Sequence, residues 1–226
     1  MKILCFGDSL TRGVSFVNGR LRILKRNYPA VLLDLMKNKN KENEEIQVIN
    51  KGVFNDNSNL LIDRLERDVF HEKPDYVIIE IGGNDCDFSW SEVSENPTKF
   101  HEPTVPLDRY IVNLKFIILK IRNEGITPIL STLPPLDPVR YYNRITKSFS
   151  TQVSHWICKL GGIEYWHSQY NNAVQKVAEE LDVMLIDVRK AIKNAGDVNG
   201  LISEDGIHLT EKGYEEFATE VFQRIY

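Results

Sequence analysis

The chain has 226 residues, of which 42% are hydrophobic and 27% charged, and its formal net charge at pH 7 is -4. This composition suits one globular α/β domain over residues 1–226, long enough to bury a sizeable core. The mildly acidic balance gives no basic field for nucleic acid or an anionic membrane, and the basic stretch Arg20 to Arg26 reads as a solvated face.

In chain order, an apolar run over Lys2–Phe6 reads as a buried strand and stops at Gly7-Asp8-Ser9. Tyr28–Lys37 has a helical stripe of Tyr28, Val31, Leu32 and Leu35. A second strand is expected at Ile46–Asn50, and a helix at Leu60–Phe70 through Leu61, Leu65 and Val69. Tyr76–Ile81 is the third strand. The polar and aromatic stretch Cys86–Pro106 reads as a loop. A helix at Leu107–Asn123 and a strand at Thr127–Ser131 follow. Leu133–Lys147, opening "LPPLDPVRYYN", reads as a second long loop. Tyr170–Leu181, Val183–Asp187 and Thr210–Tyr226 close the chain as helix, strand and helix. The five strand runs are nearly continuous rather than alternating, as expected where both faces of a parallel sheet are covered. Strands alternating with helices predict a three-layer α/β/α sandwich. Both long loops follow strand ends, where such folds build binding sites.

Cys5, Cys86 and Cys158 are odd in number and lack tight spacing, so no disulfide framework is expected. A reducing compartment is the simplest setting, and Ile3–Phe6 is too short for a signal peptide, so the expected location is cytoplasmic. No apolar run is long enough for a membrane span.

Three segments can carry chemistry. In "FGDSLTRG" a strand end delivers Ser9 to the edge of the sheet, with its amide free to face an anion. The same residues would also serve as a plain turn cap. In "EIGGNDC" Asn84 sits on a Gly-Gly turn at that edge. Its amide can donate to a developing oxyanion, or the turn can be there for positive φ alone. In "EDGIHLTEKG" the spacing of Asp205 and His208 lets the carboxylate meet imidazole Nδ1–H and leaves Nε2 free for a hydroxyl. The alternative is a surface histidine before a helix. Two ligands are too few for a metal site, and no metal or other cofactor is expected.

Together these residues resemble the separated blocks of the SGNH or GDSL esterases and lipases, in order and over nearly the whole chain. Gly7-Asp8-Ser9-Leu10 resembles the first block, Gly52 in "VINKGVFNDNS" the second, Gly82-Gly83-Asn84-Asp85 the third, and Asp205-Gly206-Ile207-His208 the fifth. The resemblance implies a flavodoxin-like five-stranded sheet and a Ser9, His208, Asp205 triad. It also implies an oxyanion hole of the Ser9 amide, the Gly52 amide and the Asn84 side chain. The second block commonly carries another glycine shortly after the first, and here Val53-Phe54-Asn55 follows. Leu209 stands where proline often follows the histidine.

The activity so implied is hydrolysis of a small-molecule ester through an acyl-enzyme. Carbohydrate O-acetyl esters and thioesters are alternative substrates. Phe88, Trp90, Tyr141 and Tyr142 could line an acyl wall or stack on a sugar, or simply pack under a loop. Arg140 and Arg144 could meet an anionic substrate or face solvent. Trp156 and Trp166 could bury a helix or a contact between copies, which leaves a homo-oligomer open. Cys86 reads as structural. Two other classes stay open, a catalytically silent ligand-binding relative and a flavodoxin-like nucleotide or flavin binder. The full set of four polar residues argues against the first, and the thin "GDSLTRG" loop against the second.

Overall fold

The computed structural model describes residues 1–39 and 45–226. Strand β1 (Lys2–Gly7) runs into a one-turn helix, α1 (Ser9–Arg12). A hairpin of β2 (Val14–Val17) and β3 (Arg20–Ile23) precedes α2 (Tyr28–Lys39). Then come β4 (Gln47–Gly52), α3 (Ser58–Asp68), β5 (Tyr76–Glu80), α4 (Trp90–Glu95), α5 (Leu107–Asn123) and β6 (Thr127–Ser131). Helices α6 (Pro138–Ser148), α7 (Val153–Lys159) and α8 (Ile163–Glu180) lead to β7 (Met184–Ile186), and α9 (Val188–Asn194) and α10 (Glu211–Ile225) follow.

The main sheet has five strands in the order β4-β1-β5-β6-β7, all parallel. Each expected strand forms within a residue or two of its expected bounds. Successive side chains of β1 point to opposite faces, and both faces are covered. Leu4 and Phe6 join an apolar layer with Leu61, Leu114, Ile118 and Val174, from α3, α5 and α8. Ile3 and Cys5 join a second with Leu32, Ile192, Phe217 and Val221, from α2, α9 and α10. Continuous apolar strands therefore need no polar face. The chain leaves β1 towards β4 on one side and leaves β5 towards β6 on the other. The strand order thus reverses between β1 and β5, where α/β sheets open a crevice at the carboxyl ends of their strands.

Two segments differ from expectation. Asn18 and Gly19 both take positive φ, 53° and 75°, and this Asn-Gly pair folds the unpredicted β2–β3 hairpin. Most of Leu133–Lys147 is helix α6, not loop. Asp137 caps it by accepting from Val139 N and Arg140 N, and Pro138 occupies its first turn. The other long segment, Cys86–Pro106, is irregular apart from α4. Thr104 N and Val105 N donate back to Asp87 O and Asp85 O and hold it against the sheet edge. No helix among the described residues is long and apolar enough to cross a membrane.

In the second layer Tyr28 and Phe217 stack with ring centroids 4.0 Å apart, joining α2 to α10. Both are fully buried. Phe217→Ala removes a large ring from a closed layer and is expected to cost about 3–5 kcal/mol of stability, read by chemical denaturation.

Candidate active site

The loops that leave β1 and β5 meet at the reversal point. After Gly7, Asp8 caps α1 by accepting from Leu10 N at 2.8 Å. This tight exit places Ser9 first in the helix, 7% exposed, and its N–H donates to no group among the described residues. A side chain at Gly7 would collide with the Glu80 carbonyl and Thr11, so only glycine lets the two strands and the turn approach this closely.

The opposite wall comes from far along the chain. Ser203 N donates to His208 O and Gly206 N to Ser203 O, which closes the Asp205–His208 turn. Gly206 has φ 80° and lies against the start of α6, where Asp137 N donates to its carbonyl at 2.8 Å. Inside this turn Asp205 Oδ2 lies 2.6 Å from His208 Nδ1, and His208 Nε2 lies 2.9 Å from Ser9 Oγ. Asp205 Oδ1 accepts from Ser203 Oγ, Ile207 N and His208 N. Burial pushes the Asp205 carboxyl up, but the hydrogen bonds it accepts, His208's first, prevail and hold it well below the usual carboxylate range. Arg144 of α6 adds a cation, with Nη1 3.1 Å from Asp205 Oδ2.

Asn84 stands beside Ser9 on the turn after β5. Its Nδ2 donates to Asp56 O at 2.7 Å and lies 3.3 Å from Asp8 Oδ2. The next residue, Asp85, is fully buried and accepts from Ser58 N, which ties this turn to the start of α3.

Gly52 does not reach this cleft. Its N–H donates to Asn50 Oδ1 at 2.9 Å, and its α-carbon lies against the backbone of Thr11 and Arg12. It lines a separate depression with Arg12, Leu21 and Phe54. Three residues on, Asn55 takes the left-handed φ of 63° that the missing glycine would favour, and its N–H has no partner among the described residues.

Of the expected aromatic wall, Phe88, Trp90 and Tyr141 line the cleft. Asp87 anchors two of them, accepting from Trp90 Nε1 at 2.7 Å and Tyr141 Oη at 2.6 Å. Tyr142 is not on the wall and instead shares a hydrogen bond with Ser154. Trp166 is on it, with Nε1 donating to Cys86 O at 2.8 Å. Trp156 packs beneath Phe88. Cys86 borders the cleft, but burial pushes its thiol well above the ordinary range, so it is no thiolate. Arg140 donates to the carbonyls of Asn199 and Ile202 and so pins α6 rather than meeting substrate. The remaining wall, including Leu133, Leu136, Ile157 and His167, carries no motif that would mark it in sequence.

Under the serine lies an unexpected pair of acids. Asp8 is 2% exposed, and burial, aided by the charges of Asp85 and Asp56, pushes it up to about 7. Glu80 is fully buried with Oε1 unpartnered among the described residues, and burial followed by the Asp8 charge raises it well above the usual carboxylate range. A glutamate ending the apolar strand run "YVIIE" is the signal that could have marked it. Among the described residues no group of three His, Cys, Asp or Glu side chains could hold a metal ion.

The family described as GDSL-like Lipase/Acylhydrolase matches residues 3–221 of the chain. The uncharacterized lipoprotein YqeF of Bacillus subtilis is 30% identical, covering 93% of this chain and 84% of that protein. The isoamyl acetate-hydrolyzing esterase 1 homolog of Bos taurus is 27% identical over 95% of this chain and 77% of its own. Among solved structures, the lipase/acylhydrolase from Enterococcus faecalis superposes with a TM-score of 0.73 at 22% identity, covering 100% of this chain and 95% of that one.

Two outcomes follow from the site's packing. Gly52→Ala drives a methyl group into the α1 backbone and is expected to cost about 1–3 kcal/mol in denaturant titration, with loss of activity as Ser9 shifts. Asp8 is raised in the folded state, so its contribution favours folding below about pH 4 and is lost as pH rises through 7. Asp8→Asn keeps the cap without the charge, so its melting temperature should gain on the wild type between pH 5 and pH 8.

Proposed function

The chain belongs to the GDSL-like lipase/acylhydrolase family and is an ester-bond hydrolase, and from that premise we propose that Ser9, His208 and Asp205 perform the reaction as a triad. The observation that carries this reading is the continuous line from Ser9 Oγ to His208 Nε2 at 2.9 Å and from His208 Nδ1 to Asp205 at 2.6 Å. His208 takes the Ser9 proton as Oγ attacks the ester carbonyl, and Asp205 stabilises the imidazolium that forms. The tetrahedral intermediate collapses as His208 returns its proton to the leaving alcohol. Water, activated by the same imidazole, then attacks the acyl-Ser9 ester, releases the acid and restores the serine.

The oxyanion is held by the Ser9 N–H, which has no partner among the described residues, and by the Asn84 Nδ2 hydrogen that otherwise meets Asp8 Oδ2 at 3.3 Å, while the other stays on Asp56 O. The Gly52 amide is occupied by Asn50, so the third donor proposed is the Asn55 N–H on the same connection. Arg144 acts through Asp205 and holds its carboxylate towards His208. The substrate is a small-molecule ester, fitted to a cleft whose wall is mainly apolar and aromatic.

A fluorophosphonate probe should modify Ser9 and no other residue, as located by peptide mapping. Ser9→Ala is expected to lower kcat by about 10⁴–10⁶-fold with the fold intact. Asn84→Ala should lower it by about 10²–10³-fold. Ordinary turnover in clean Ser9→Ala protein would overturn the assignment.

A further inference from the structure

A second histidine borders the cleft and has no part in the triad chemistry. His167 lies on α8, is 7% exposed, and lines the same cavity as Ser9 and His208. Its Nδ1 is 3.1 Å from Arg189 Nη1 of α9. A guanidinium can only donate, so Nδ1 must present its lone pair and the ring proton must sit on Nε2. Arg189 is itself fixed. It donates to the carbonyls of Leu133 and Pro134, and its Nη2 lies 3.6 Å from Glu164. Burial, with the Arg189 charge behind it, pulls the His167 imidazole down to about 3, so the ring is neutral around pH 7. Its Nε2 has no acceptor among the described residues, and its neighbours Leu133, Ile163 and Trp166 on the cavity wall offer it apolar surface.

Resting on the ester-hydrolase reading of this cleft, we infer that the His167 Nε2–H reads the substrate, and that the preferred ester carries a second neutral oxygen away from the scissile bond. A hydroxyl, ether or carbonyl oxygen supplies the missing acceptor. A plain hydrocarbon chain would strip water from the N–H and return nothing, and sites built to hydrogen-bond a group discriminate strongly against analogues that lack it. A carboxylate in that place is disfavoured because the residues that line the cavity include no lysine or arginine to pair it. The second oxygen is therefore uncharged.

The test compares p-nitrophenyl hexanoate with its 3-, 4- and 5-oxa analogues, and hexyl acetate with its oxa-alkyl counterparts. At least one oxa ester should exceed its hydrocarbon twin in kcat/KM by about tenfold or more. In His167→Phe that ratio should collapse towards one, and in His167→Gln, which keeps an N–H donor, part of it should return. A second readout needs no turnover. In ¹⁵N-histidine-labelled Ser9→Ala protein, His167 should appear as the neutral Nε2–H tautomer at pH 5, and the favoured oxa ester should shift that proton where its hydrocarbon twin does not. A wild-type ratio near one across both series, a ratio that survives in folded His167→Phe, or an Nδ1–H or imidazolium signal would each overturn the inference. Absence of turnover on every ester, with Ser9 unlabelled by fluorophosphonate, would instead sink the hydrolase mechanism. The tautomer and the proton shift would still decide His167.

Discussion

One buried guanidinium holds the site together. Arg64 of α3 is 6% exposed and reaches three separate parts of the chain. Its Nη2 donates to the carbonyl of Gly7, two residues before the serine. Its Nε meets Asp56 at 2.5 Å, and Asp56 in turn accepts from Asn84 through its main-chain oxygen. Its Nη1 meets Asp68 at 2.9 Å, and its plane lies over Phe6, 4.3 Å from the ring centre. A planar donor with five N–H groups can hold such a junction, whereas an ammonium of similar reach could not. The turn that bears Ser9 and the turn that bears Asn84 are thus positioned by one rigid group.

That arrangement also explains the uneven legibility of the sequence. The five strands were plain because both faces of the sheet are covered, so each strand is a nearly continuous apolar run, least so at the edge strand β4. Ser9, Asn84, Asp205 and His208 each sit on a short turn with its own glycine, so singly each also reads as an ordinary turn residue, and only the four together marked a candidate site. Arg64 was not legible, since an arginine inside an amphipathic helix looks like any exposed one until its partners close around it. Gly52 was misplaced for a related reason. A glycine after a strand signals close approach, and here the approach is by the α1 backbone, not by substrate. Helix α6 was hidden by its prolines, although Asp137-Pro138 is an ordinary way to begin a helix. The far wall of the cleft, from α7 and α8, depends on tertiary packing that no local pattern records.

The charge arrangement around the serine has two layers with opposite tendencies. Above, Asp205 accepts several hydrogen bonds and keeps its charge, as the partner of an imidazole must. Below, burial raises Asp8 and Glu80, which lie close enough to resist ionising together. Glu80 has one oxygen unpartnered among the described residues and the other 3.4 Å from Thr11 Oγ1. The same residue type is therefore tuned in two directions within one cleft. Hydrogen-bond donors set the difference, since all three carboxyls are buried.

Ser9 and His208, which meet at 2.9 Å, are 199 residues apart in the chain. A ribosome makes β1 and its serine long before the Asp205–His208 turn, so over that interval the hydroxyl stands without its imidazole partner. In the proposed mechanism reactivity is therefore withheld until the Asp205–His208 turn and α10 dock. It then arrives in the same step that seals the second apolar layer, because α10 carries Tyr214 and Phe217 into that layer directly after the histidine. Hydrolytic competence in this chain is a property of the finished fold, and unfinished molecules are chemically silent.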